Sequence, residues 1–222
     1  MRRLAVLLAL TLLSACNVVL TKSPLFTAAD TAGAPTLRPG VWLFFKEAGC
    51  AVDEKAPISN WPDCAGGGIV AADSIAGHPQ HTPPSTLQRT PFLLAAGDPR
   101  IAQVQVTIDM SAGASASGPG ATASASPPAH AEPWAYAGVK PTKSDPQGRI
   151  VAFDLWPVQC GPPPPRNSNA LTTKHPLKGL DMSQGDADCS TTSKDALRAA
   201  AKASQPWADE PRHAYWLRDG DH

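Results

Sequence analysis

The chain is poor in long apolar runs. Its N-terminal stretch, Leu4 to Leu13, is about ten residues, against the roughly 20 that a spanning helix needs. It has no excess of positive charge: 19 Lys and Arg stand against 19 Asp and Glu, which argues against nucleic acid as a partner. It contains no G-x-S-x-G, so a nucleophile elbow is unsupported, and no H-E-x-x-H. No two cysteines have the C-x₂₋₄-C spacing that lets neighbouring thiolates share a zinc ion. Gly66-Gly67-Gly68 is not followed by Lys-Ser/Thr or by a helix start, so it reads as a loop and not as a phosphate cradle. No internal repeat of fixed period is present. These absences leave no motif that names an enzymatic activity, and no cofactor or metal is implied.

What is present begins at the N-terminus. Arg2 and Arg3 precede the apolar run, and Leu13-Ser14-Ala15-Cys16 closes it. A charged start, a short apolar core and small residues form the layout of an export signal, and not of a spanning helix. With cysteine at its end, the segment resembles a bacterial lipoprotein signal with its lipobox. The resemblance covers residues 1–17 and implies a diacylglyceryl group on the Cys16 thiol. It also implies cleavage before Cys16 by signal peptidase II and acylation of the new amine. One acyl chain holds a protein to a membrane only marginally, whereas several anchor it stably. Asn17 stands where the family's inner-membrane retention signal has aspartate, which favours the periplasmic face of the outer membrane. Removing residues 1–15 leaves 17 basic and 19 acidic residues, a formal charge of −2.

Of five cysteines, lipidation of Cys16 leaves Cys50, Cys64, Cys160 and Cys189. An even number in an exported chain reads as two disulfides. Three pairings are possible. Cys50–Cys64 and Cys160–Cys189 are favoured, because each pair is close in sequence and lies in its own turn-rich segment.

Residues 16–39 read as the lipidated cysteine and a flexible tether, rich in Thr, Ala, Pro and Gly. A random coil of that length spans about 26 Å. A single disulfide-tied domain is expected over 40–222, by size and by the absence of a boundary. Val41 to Phe45 is an apolar, β-prone run after the Pro39-Gly40 turn signal. Gly68 to Ala71 suggests a short strand. Phe92–Ala95 and Ile101–Ile108 flank Gly97-Asp98-Pro99-Arg100, a turn signal, and the second arm alternates apolar and polar residues. Trp134–Val139 and Arg149–Trp156 flank Asp145-Pro146-Gln147-Gly148, which carries Asp, Pro and Gly at the positions a type I turn prefers. Between the hairpins, residues 111–131 are an uncharged Ser/Ala/Gly/Pro stretch that reads as a disordered insert. Pro162 to Pro165 is a stiff polyproline stretch. One helix is expected, capped by Thr192, with Asp195 near its start and Ala196–Ala203 as its body. Pro206 ends it, and His213–Arg218 is a last strand. The fold class is mainly β (α+β): an antiparallel sheet of hairpins, a sandwich or half-barrel, with one C-terminal helix.

The remaining candidates for chemistry are few. His78 and His81 are i and i+3, but Pro79, Pro83 and Pro84 prevent the helix that would align them. Asp181, Asp186 and Asp188 miss the spacing of a calcium loop and lack its distal glutamate. Trp42, Trp134, Trp156 and Trp216 fall in expected strands and fill a β core. Trp61 and Trp207 fall in loops and, exposed together, would form an aromatic patch for an envelope protein or glycan. Beyond residues 1–17, the chain resembles small envelope lipoproteins of Ala/Pro-rich composition. The expected function is a lipid-anchored binding or structural module of the envelope, facing the periplasm. The alternative is a periplasmic hydrolase with a site that no motif reveals.

Overall fold

Eight antiparallel strands close into a barrel. The computed structural model describes residues 17–77, 88–106, 132–164, 173–183, 188–208 and 211–220. The barrel strands are β2 (Gly40–Lys46), β3 (Ala65–Val70), β4 (Ser74–Gly77), β5 (Gln88–Ala95), β6 (Arg100–Gln105), β7 (Trp134–Ser144), β8 (Ile150–Pro157) and β11 (Arg212–Arg218). They pair in the order β7-β6-β5-β4-β3-β2-β11-β8, and β8 returns to β7. Closure depends on the length of β7, 11 residues. Its first half, Trp134–Val139, pairs with β6, while Ala137–Ser144 pairs with β8. A closed sheet has no unpaired edge to protect. The expected antiparallel hairpins are therefore present, and the sheet is a complete barrel, not a sandwich or half-barrel.

One apolar cluster holds a residue from every barrel strand: Trp42, Val70, Ile75, Leu94, Ala102, Val139, Phe153 and Ala214. Such a set can only lie inside the barrel. The second cluster lies outside, where Ile101, Ala95 and Tyr136 are covered by helix α1 (Lys194–Ser204) through Leu197, Ala200 and Ala201. The strand period of two thus serves two cores, one on each face of the same sheet. Ser193 caps α1: its backbone is extended and its Oγ accepts the Ala196 N–H. The expected cap, Thr192, is displaced because the Thr191 hydroxyl holds the Ser193 N–H and sets that residue at the helix entrance. The helix runs on through the 3-10 turn Gln205–Trp207.

Residues 17–39 are not a tether. They form a strap on the outer wall, with Val19 0 %, Phe26 2 % and Asn17 5 % exposed. Strand β1 (Leu20–Thr21) pairs with Trp134 and Ala135 of β7. Gln103 Oε1 accepts the backbone N–H groups of Leu25 and Phe26, and its amide donates to the Phe26 carbonyl. Thr21 Oγ1 lies 2.6 Å from the Tyr136 hydroxyl. The Phe26 ring is roofed by the cations of Lys194 and Arg198. The apolar residues of the strap follow no period because it crosses the strands and touches them one residue at a time.

Both expected disulfides are formed, Cys50–Cys64 and Cys160–Cys189. The first closes a loop folded over the outside of β2, β3 and β11. There Arg218 donates to the carbonyls of Glu54 and Ala56. The second ties the segment after β8 to β10 (Cys189–Ser190), which pairs with β9 (Asp181–Met182). Residues 1–16, including Cys16, and the 111–131 insert lie outside the described residues.

Candidate functional site

The barrel interior is packed unevenly along its length. Trp42, Val139 and Ile150 are at most 1 % exposed, and Val70, Phe153 and Leu94 are buried beside them. The Trp42 ring stacks on Phe44 and tilts against Phe153 at 5.3 Å between centroids, and its N–H donates to the Arg38 carbonyl. This end is also sealed from outside. The Arg38 guanidinium lies 3.5 Å from the centre of the Trp216 ring and pairs with Asp219 at 3.1 Å, and the Trp216 N–H donates to Pro39.

Other residues of this cluster are only half-buried: Phe44 on β2, Phe92 on β5, Leu155 on β8 and Trp216 on β11, and also Ile75 and Ala102, which pair directly with the buried Val70 and Leu94. Phe44 and Leu155 each lie one inward step beyond Trp42 and Phe153, and Phe92 one such step before Leu94. Phe44, Phe92 and Leu155 lie toward the end from which the Cys50–Cys64 loop and the segment after β8 leave. An eight-stranded barrel is just wide enough either to be filled by side chains or to hold one small ligand. Here the first condition holds around Trp42, and the half-buried Phe44, Phe92 and Leu155 lie beyond it. In sequence, Val41 to Phe45 and Phe92 to Ala95 are unbroken apolar runs, which mark strands and leave the inward face unmarked. They do not separate the fully buried lumen positions from the half-buried ones.

The residues singled out from the sequence fall elsewhere. Trp61 is half-buried on the outer wall, its N–H donating to the Ala56 carbonyl at 3.2 Å. Its indole lies flat on Gly67, where any Cβ would collide with it. Gly66-Gly67-Gly68 is therefore inside β3 and not in a loop: the Phe45 and Trp61 rings occupy the space that side chains would need. Trp207 ends the 3-10 turn after α1, half-buried, and no ring contact joins it to Trp61 among the described residues. Trp134, Trp156 and Trp216 lie in strands, as expected. His78, His81 and Asp186 lie outside the described residues.

One acid–base pair stands on the outer wall. His213 Nδ1 is 2.8 Å from Asp154 Oδ1, with the side chains 54 % and 33 % exposed. Among the described residues no hydroxyl or thiol hydrogen-bonds His213, and no group of three His, Cys, Asp or Glu could hold a metal ion. Perturbed titrations are structural. Burial pushes the Tyr136 hydroxyl up, against the Thr21 bond that lowers it. Burial followed by the Glu54 carboxylate pushes Tyr215 up. The hydrogen bond from Lys194 leads the set that holds Asp30 low.

No family model, curated protein or solved structure matches this chain. Among the described residues, no helix is long and apolar enough to cross a membrane.

Proposed function

We propose that the chain is a lipid-anchored envelope protein whose barrel binds an apolar ligand at its half-open end, on the periplasmic side. The observation that carries this reading is the contrast within the lumen. Trp42, Val139 and Ile150 are closed off, whereas the lumen-facing Phe44, Phe92 and Leu155 are incompletely covered. Concave apolar sites bordered by aromatic side chains are the usual form of small-ligand pockets. The N-terminal lipobox supports the anchor.

The test is titration of the purified protein with a dansyl-labelled C11 fatty acid. The expected result is a saturable, blue-shifted emission that is lost in Phe92→Arg, with the far-ultraviolet spectrum of that variant unchanged. Emission that never saturates, or that persists in Phe92→Arg, overturns the site. The anchor is read separately, as acyl mass on the Cys16 peptide of protein extracted from membranes.

A further inference from the structure

We infer, on the reading that Cys16 carries the lipid, that the barrel docks directly on the bilayer through the corner around Asn17. Lys174 and Lys178 there face anionic headgroups. Asn17 is fixed, not loose. Its Nδ2 donates to the Gly161 carbonyl at 3.0 Å and its Oδ1 accepts the Thr173 N–H at 3.2 Å. Its carbonyl accepts the Cys160 N–H at 2.8 Å, and the next two residues bond to Cys189 and Val158. A lipid on the preceding residue is therefore one peptide unit, about 3.8 Å, from a rigid corner of the fold. A free tether would instead leave the body loosely held at a distance of tens of ångströms.

The surface beside that corner suits a lipid surface. Residues 173–180 carry two lysines and a histidine, and the exposed Asp181 follows them. The segment is pinned at Thr173 to Asn17 and at Leu177 to the Cys160 carbonyl, so it stays next to the anchor. Lys174, His175 and Lys178 are all exposed. Lysines held this close to an anionic leaflet each strengthen contact by about fivefold. The half-buried Leu155 lies toward the same end: it precedes the Gln159–Gly161 stretch on which Asn17 rests. Docking in this pose brings that end to the headgroup side of the barrel. An acyl chain from that bilayer is then the ligand class in reach.

The experiment uses the full lipidated chain in phosphatidylethanolamine/phosphatidylglycerol vesicles with nitroxide-labelled headgroups. One fluorophore is placed at His175→Cys. A second is placed at Gln147→Cys, in the turn beyond the far end of β8, whose 8 residues span about 26 Å. The expected result is loss of emission at 175 and none at 147. Lys174→Glu/Lys178→Glu should reduce that loss in anionic vesicles, and a flexible 20-residue insert between Cys16 and Asn17 should abolish it. Equal quenching at the two positions in an acylated chain overturns the docking alone. A Cys16 peptide without acyl mass overturns the anchor, and the docking with it.

Discussion

The indole of Trp156 lies across Gly138, its partner in the β7–β8 ladder, and donates its N–H to the Ala201 carbonyl in α1 at 2.8 Å. The pair joins the barrel wall to the only α-helix among the described residues. A Cβ at residue 138 would strike the indole. Gly138→Ala should therefore destabilise the protein by about 2–4 kcal/mol, combining overpacking with disturbance of the Trp156 bond. Trp156→Phe keeps the ring and loses the donor, so it should cost less, about 1–2 kcal/mol. Urea unfolding of the two variants checks the order; a neutral Gly138→Ala would refute the close approach.

Asn17 has φ of 80°, the left-handed region that asparagine tolerates better than alanine. It also satisfies two backbone groups with its side chain. Asn17→Ala combines both losses and should cost about 2–4 kcal/mol. Asn17→Gly relieves the backbone term and should recover about 1 kcal/mol of that. The same substitutions in a free tether would leave the denaturation midpoint unchanged, so one unfolding series separates strap from tether.

That contrast shows where the sequence is readable. Hairpin β7–β8 is plain because Asp145, Pro146 and Gly148 mark its turn, and Gly148 N–H does bond to the Asp145 carbonyl. Both cysteine pairs are plain because each closes a short loop. Three features are hidden for physical reasons. The strap has the composition of a linker, and its burial depends on Gln103 and Tyr136, far along the chain. The second half of β7, Lys140–Ser144, is mostly polar and exposed, so the extension that closes the barrel has no apolar signature. Strand β4, Ser-Ile-Ala-Gly, is too short to show a period. Phe44 and Phe92 are legible only as members of apolar strand runs, and their partial exposure is a property of barrel closure.

Acid should weaken the clamp between strap and helix. Lys194 Nζ sits 2.7 Å from Asp30 Oδ2, and this bond, with that from the Thr27 N–H, holds the carboxyl below its usual value. A carboxyl lowered in the folded state stabilises fully above its unfolded value near 3.9 and loses that contribution as pH falls through the folded value. The melting temperature should therefore drop more steeply below about pH 4 in the wild type than in Asp30→Asn. Parallel acid limbs for the two proteins would remove Asp30 from the account.

The two disulfides should part under mild reduction. Cys160 and Cys189 are 0 % exposed, whereas Cys50 and Cys64 are half-buried on a surface loop. Graded dithiothreitol followed by alkylation and peptide mass mapping should find Cys50 and Cys64 modified first. Chain entropy assigns about 3.0 kcal/mol to the shorter loop and about 3.6 kcal/mol to the longer. The double variant Cys160→Ala/Cys189→Ala should lose more than that difference suggests, because it also removes two fully buried sulfur atoms from the outer apolar cluster and leaves a cavity there.

Enlarging one lumen residue at each end tests the partition on which binding depends. Val139 is 1 % exposed within the filled end, so Val139→Phe has nowhere to place the added atoms and should cost about 1–3 kcal/mol. Phe92 is only half-buried and lies beyond Leu94 on β5, where the larger ring of Phe92→Trp can turn toward solvent. That change should fall within about 0.5 kcal/mol of wild type, as for sites outside a packed core. It should also reduce binding of the dansyl fatty acid, because the ring occupies the mouth that the acyl chain must enter. Equal destabilisation at the two positions would mean that the lumen is filled throughout, and the barrel would then be a solid core with no place for a ligand.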